Sequence, residues 1–172
     1  MILKYFVLCL ASYTFDSTDN KTQWINVCIN IDSIINHSSL NNLEEESLIA
    51  LMWHETRWRN KLVSSVGACG MAQVIPRYTV PRVSCRQLKN PDVGIEYGAI
   101  ALRNWMNTAD NNLTRAYCHY NSGNICYERG LNYARRVKRS YRRLKRIVQQ
   151  TNQSITNANI GKCIRDFASI LF

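Results

Sequence analysis

Glu55 is the side chain in this sequence best placed to move a proton. Leu48, Leu51 and Met52 lie seven, four and three positions before it, so on a helix all four share a face. A carboxyl at the end of an apolar face is poorly solvated. Burial of that kind disfavours the anion and raises the pKa, as a general acid near neutral pH requires. The same spacing also suits a helix-end carboxylate paired with Arg57 or Arg59. His54-Glu55 resembles the start of a zinc-protease helix, but position 58 is Trp, so the second histidine is missing. Glu46, nine residues back, falls half a turn around the helix and is expected to face solvent.

Helical periodicity dominates the elements that must position Glu55. Residues 42–58 read as a helix, with Asn42 as cap and Glu45 in the capping-box place. Ser64 to Pro81 contains Gly and Ser and is expected to form turns or a short hairpin. Asn90-Pro91 reads as a cap followed by proline at the first helical position, opening a helix with Ile95, Gly98, Ala99, Leu102 and Trp105 on one side. A shorter pattern of Leu113, Ala116, Tyr117 and Tyr120 stops at Asn121-Ser122-Gly123. From Leu131 to Gln150 a stripe of Ala134, Val137, Tyr141, Leu144 and Val148 must pack on something, and Lys or Arg fills most of the gaps. Thr151 to Asn159 reads as a polar linker, and Ile164, Phe167, Ala168 and Leu171 as a small tail helix.

The 172 residues suit one domain, expected over 24–150, with 1–15 as a signal peptide or N-terminal extension and 151–172 as linker and tail. Met1-Ile2-Leu3-Lys4 followed by an apolar run to Ala11 is the basis for the export reading; an ordinary buried N-terminal element is the other. No apolar run reaches the ~18 residues needed to span a bilayer as a helix. Seven cysteines lack metal-ligand spacing. With Cys9 assigned to the leader, six remain, enough for three disulfides in an oxidising compartment or for buried thiols. Cys69 with Cys85, and Cys118 with Cys126, would close short loops. The net charge of +10 points to an anionic partner. Nine of the 22 basic residues lie between Arg129 and Arg146, where no acidic residue occurs, so the rest of the chain is nearly neutral.

Around Glu55 the sequence continues through Thr56-Arg57-Trp58 to Ser64, then Gly67-Ala68-Cys69-Gly70-Met71-Ala72-Gln73 and Pro76. This resembles the signature of the SLT-type lytic transglycosylases: a Glu, a Ser nine residues later, then G-A-x-G-L-M-Q and a Pro. Two further motifs follow in order, Asn90-Pro91 leading to Gly98-Ala99 and Leu102, and Tyr120-Asn121-Ser122-Gly123, which is similar to the family's Y-N-a-G. The resemblance covers residues 40 to 148. Met71-Ala72 replaces the family's L-M, and Gly94 stands where Asn is usual, which bears on the substrate groove rather than the reaction.

The resemblance implies a mainly α, goose-lysozyme-like fold that cleaves peptidoglycan glycan strands without a metal or organic cofactor. Glu55 would be the single acid/base, oriented by a hydroxyl hydrogen bond from Tyr120. Ser64 and Gln73 would bind sugar groups, Gly70 with Gly67 would let the backbone approach the glycan, and Asn121 would support the loop or touch substrate. Ordinary glycosidases use two carboxylates. Between Glu55 and Glu128 the chain offers only Asp92, Glu96 and Asp110. Two other readings remain: a hydrolytic goose-type muramidase, and a nucleic-acid-binding protein using the basic helix, although no nucleic-acid partner is expected. Export to the periplasm or beyond, and service to a phage particle or a secretion or conjugation apparatus, complete the expectation.

Overall fold

A computed structural model describes residues 2–15 and 23–157. Among these residues eight α-helices follow one another: α1 (Ile2–Phe15), α2 (Trp24–Ile29), α3 (Ile31–Leu40), α4 (Glu45–Thr56), α5 (Cys85–Leu88), α6 (Pro91–Thr108), α7 (Leu113–Ser122) and α8 (Glu128–Asn157). Among the described residues none of these helices is long and apolar enough to cross a membrane.

The fold is organised around α4. Leu48, Ile49, Ala50, Leu51 and Met52 are each at most 1% exposed, so the middle of this helix is apolar on every side and must be wrapped. Burying each of its large aliphatic side chains stabilises by roughly 1.5–3 kcal/mol. The helices α3, α6 and α8 supply the wrapping. That enclosure corrects the expectation for Glu46, which is buried rather than solvent-facing. Burial and the neighbouring Glu45 and Glu44 raise its pKa.

The start of α4 also differs from expectation. Asn42 adopts a left-handed conformation (φ 49°) before the helix rather than capping it, and Glu44, at the cap position, makes no side-chain capping bond. Arg103 of α6 holds this turn instead, its guanidinium donating to the carbonyls of Asn41 and Asn42. Elsewhere the local signals hold. Asn90 accepts a hydrogen bond from the Asp92 amide at the head of α6, and α7 ends at Ser122 before Gly123 at φ 75°.

The segment after α4 forms no sheet. It has only isolated bridges, Val63 with Cys69 and Cys69 with Val74. Cys69–Cys85 ties it to α5, and Cys118–Cys126 ties α7 to the approach to α8. The third disulfide joins Cys9 to Cys28, so Cys9 takes part in the cross-linking from which the sequence reading had removed it. Cys163 lies outside the described residues. The N-terminal segment forms α1, with Val7, Leu8, Ala11 and Phe15 buried in the core.

Helix α8 is longer than expected. It runs 30 residues to Asn157, through most of the segment read as a linker, because no Gly or Pro between Ile147 and Asn157 stops it. The tail helix expected over 164–171 lies outside the described residues. The apolar stripe does pack: Ala134, Val137 and Leu144 are fully buried, against α7, α4 and α1.

Candidate active site

Glu55 sits on the last turn of α4, and the chain reverses immediately after it. Arg57 (φ 56°) and Trp58 (φ 59°) are successive left-handed residues. Two non-glycine residues in that conformation need anchoring. Trp58 provides it, since its ring is fully buried and its indole N–H donates to the Ile49 carbonyl at 2.9 Å. Thr56 adds a second tie, its hydroxyl donating to the Met71 carbonyl at 2.8 Å. The end of α4 is thereby fastened to the Gly67–Gln73 loop.

That loop comes close to the helices around it. Gly70 has φ +75°, and a Cβ there would collide with the Leu88 carbonyl oxygen. On α6, Gly98 lies so close to Ala72 that a side chain would strike the Ala72 Cβ. Glycine at these two positions presses the loop against α5 and α6, which brings the Ala72 carbonyl within 2.7 Å of the Tyr120 hydroxyl.

Glu55 is half-buried: protein surrounds its carboxyl densely while an edge remains open to solvent. Desolvation pushes its pKa up to about 7, against the opposing pull of a hydrogen bond from Tyr133. Neither arginine offered by the sequence pairs with it. The Arg57 guanidinium lies 4.1 Å from the centre of the Trp53 ring, and Arg59 Nε donates to the Thr56 carbonyl at 2.9 Å. The carboxyl is therefore buried with a raised pKa, and the ion pair with Arg57 or Arg59 does not form.

The hydroxyl that reaches Glu55 belongs to Tyr133, on α8, and not to Tyr120. Tyr120 donates to Ala72 instead, yet it stands near enough for the Glu55 charge to raise its own pKa. Burial raises both phenols well above their ordinary value, so both remain neutral donors. Tyr133 went unnoticed in the sequence although its position carried a signal. It lies four residues before Val137 and eight before Tyr141, placing a polar tip on the buried stripe.

Ser64 and Gln73 are occupied within the loop. Ser64 Oγ accepts from the Ala68 amide at 3.0 Å, and Gln73 Nε2 donates to the Gly70 carbonyl at 3.0 Å from a left-handed backbone (φ 52°). Gln73 Oε1 has no partner among the described residues. Asn121 is exposed at the end of α7, next to Tyr120. None of these residues hydrogen-bonds to Glu55. His54 also faces α8, its ring 6.2 Å from that of Tyr133 and its Nε2 2.8 Å from Ser140 Oγ; burial, Arg136 and Arg57 lower its pKa to about 4, so it is uncharged at neutral pH. Trp53 and Trp58 belong to the core, and Trp105 stacks on His119.

The site thus contains one protonatable carboxyl, a buried phenol bonded to it, a second phenol nearby and a tightly held loop. Among solved structures, the chain is similar to an X-ray structure of lytic transglycosylase Slt from Pseudomonas aeruginosa, an inactive Glu-to-Gln mutant, with a TM-score of 0.59 and 21% identity. The match covers 70% of this chain and 24% of that one, so this chain spans about a quarter of that protein's length. No curated protein sequence matches. The transglycosylase SLT domain family matches residues 32–158, and the chain belongs to that family.

Proposed function

We propose that this protein is a peptidoglycan lytic transglycosylase that cleaves the β-1,4 bond between N-acetylmuramic acid and N-acetylglucosamine. Protonated Glu55 donates its proton to the glycosidic oxygen as the bond from that oxygen to the muramyl C1 breaks. The resulting carboxylate then takes the proton of the muramyl 6-hydroxyl as that oxygen bonds to C1. A 1,6-anhydro ring closes, the leaving strand keeps the first proton, Glu55 regains one, and no water is consumed. Tyr133 holds the carboxyl and stabilises its anion between the two steps.

The observation that carries this reading is the Glu55 carboxyl, raised to about 7 by burial against the pull of the Tyr133 hydrogen bond. A group titrating there can serve as acid and then as base at neutral pH. No second carboxylate among the described residues bears on its ionisation, which favours a one-carboxylate route over the paired-carboxylate mechanism. Ser64, Gln73, Gly70 and Asn121 are proposed to line the sugar-binding groove. In Gln73 the Oε1 atom, without a protein partner, is the atom available to a sugar amide or hydroxyl. The action belongs outside the cytoplasm, consistent with the disulfides, in service of a phage particle or a secretion or conjugation apparatus that must open the wall.

Mass spectrometry of digested murein tests the reaction. Anhydromuramyl ends are expected from the native protein and none from Glu55→Gln. Reducing ends alone would replace this reading with a hydrolytic muramidase.

A further inference from the structure

Helix α8 is strongly basic on its outer side. A surface groove there is lined by Arg135, Lys138, Arg139, Arg142, Arg143 and Arg146, and it is bounded by Thr114 at the start of α7. Arg135, Arg139, Arg142 and Arg146 repeat at steps of four, three and four, so they form one stripe. At a rise of about 1.5 Å per residue the stripe is about 16 Å long. Some of these cations have partners: Lys138 donates to Thr114 at 2.6 Å, Arg135 pairs with Glu128 at 2.8 Å, and Arg143 lies over the Phe15 ring at 5.3 Å. Arg139, Arg142 and Arg146 are exposed and have no anionic partner among the described residues.

The chemistry of the lining narrows the occupant. A concave groove accepts a chain and excludes a flat sheet of lipid headgroups. Its walls have no aromatic side chain on which nucleic-acid bases could stack. Five of its six cations are arginines, whose planar forks match carboxylates in a bidentate way. The groove and the candidate active site share one helix across its width: Tyr133, which bonds to Glu55, lies two residues before Arg135 and so faces the other way.

We infer that this groove binds the carboxylate-bearing peptide stems of peptidoglycan, an inference that rests on the peptidoglycan reading above. The protein therefore distinguishes peptide-bearing strands from naked glycan. Catalysis and peptide recognition lie on opposite faces of one helix.

Binding of full-length Glu55→Gln protein to soluble murein strands tests this, measured by fluorescence anisotropy on strands with un-cross-linked peptides in place and on the same strands stripped of peptides by an amidase. The peptide-bearing material is expected to bind more tightly. Adding Arg139→Gln, Arg142→Gln and Arg146→Gln should weaken that binding roughly tenfold, since exposed ion pairs each contribute a factor of about 1.5–5. Binding to stripped murein should stay the same, and the corresponding Arg→Lys triple variant should retain most of the preference. Equal loss on both materials, or no loss on either, overturns the assignment. Loss confined to phosphatidylglycerol vesicles or a single-stranded oligonucleotide, with murein binding unchanged, overturns it in favour of a phosphate partner. Product analysis with the native protein is the independent arm. Uncleaved murein with peptide-dependent binding intact would overturn the transglycosylase reading alone. Anhydro products without peptide dependence would overturn the groove assignment alone.

Discussion

Replacing Tyr133 with Phe removes one hydroxyl and leaves the ring in its buried place. That hydroxyl donates to Glu55 Oε1 and favours the carboxylate, which desolvation otherwise disfavours. A hydrogen bond to a charged group contributes about 1.5–3 kcal/mol, and one pKa step corresponds to about 1.4 kcal/mol. Full loss would therefore raise the Glu55 pKa by about 1–2. Because Glu55 is only half-buried, water recovers part of this, and a rise of about 1 from its starting point near 7 is expected. The sign follows from the first chemical step. Glu55 must be protonated to act as acid, so activity falls as pH rises through its pKa. The basic limb of kcat/KM against pH should move from near 7 in the native protein to near 8 in Tyr133→Phe. The maximum should drop, because the conjugate base loses the donor that oriented it. A turbidity assay on murein from pH 5 to 9 measures both. A limb that stays in place or moves toward acid would refute the reasoning, whatever happened to the maximum.

Glu55→Gln should stabilise the fold at alkaline pH. The unfolded chain ionises Glu55 at about 4.5 while the folded one holds its proton to about 7, so stability is lost as pH rises across that window. The shift corresponds to at most about 3 kcal/mol. The variant should therefore melt several degrees higher than the native protein at pH 8 and at the same temperature at pH 4, as calorimetry would show; equal melting at both would contradict the raised pKa. Gly70→Ala combines a collision with the Leu88 carbonyl and a positive φ, and should cost about 2–4 kcal/mol in urea unfolding, with loss of activity. Opening Cys69–Cys85, whose cysteines are 16 residues apart, with Cys69→Ala and Cys85→Ala should cost about 3 kcal/mol by denaturant titration. Murein cleavage should fall along with it, since that bridge holds the Gln73 loop.

Much of this site was legible because its elements obey short-range rules. Glu55 stood out through the apolar residues behind it, and Asn90-Pro91 and Gly123 marked helix ends that the structure retains. What the sequence hid depended on contacts between distant elements. Glu46 looked solvent-facing by angle, but the stretch of α4 from Glu46 to Met52 is covered on every side, and enclosure is a property of its neighbours. Tyr133 sits 78 residues from the carboxyl it touches, so no local spacing links them. Tyr120 was expected in that role, and in its place the Ala72 carbonyl, brought close by Gly98, captures the hydroxyl. The extension of α8 to Asn157 shows the weakness of reading a linker from polarity alone. Asn, Gln and Ser lower helix propensity only modestly, and a helix already propagating crosses them.

The angular separation along α8 bears on how such a protein changes over generations. Tyr133, Val137 and Leu144 look inward, where a lost methylene leaves a void. Arg139, Arg142 and Arg146 look outward, where most replacements shift stability by no more than about 0.5 kcal/mol. Mutations that redraw the outer stripe can therefore accumulate without passing through a misfolded or inactive ancestor. On the peptide-binding proposal, a lineage meeting a wall of different peptide charge has a set of positions to vary, a helix's width away from Glu55.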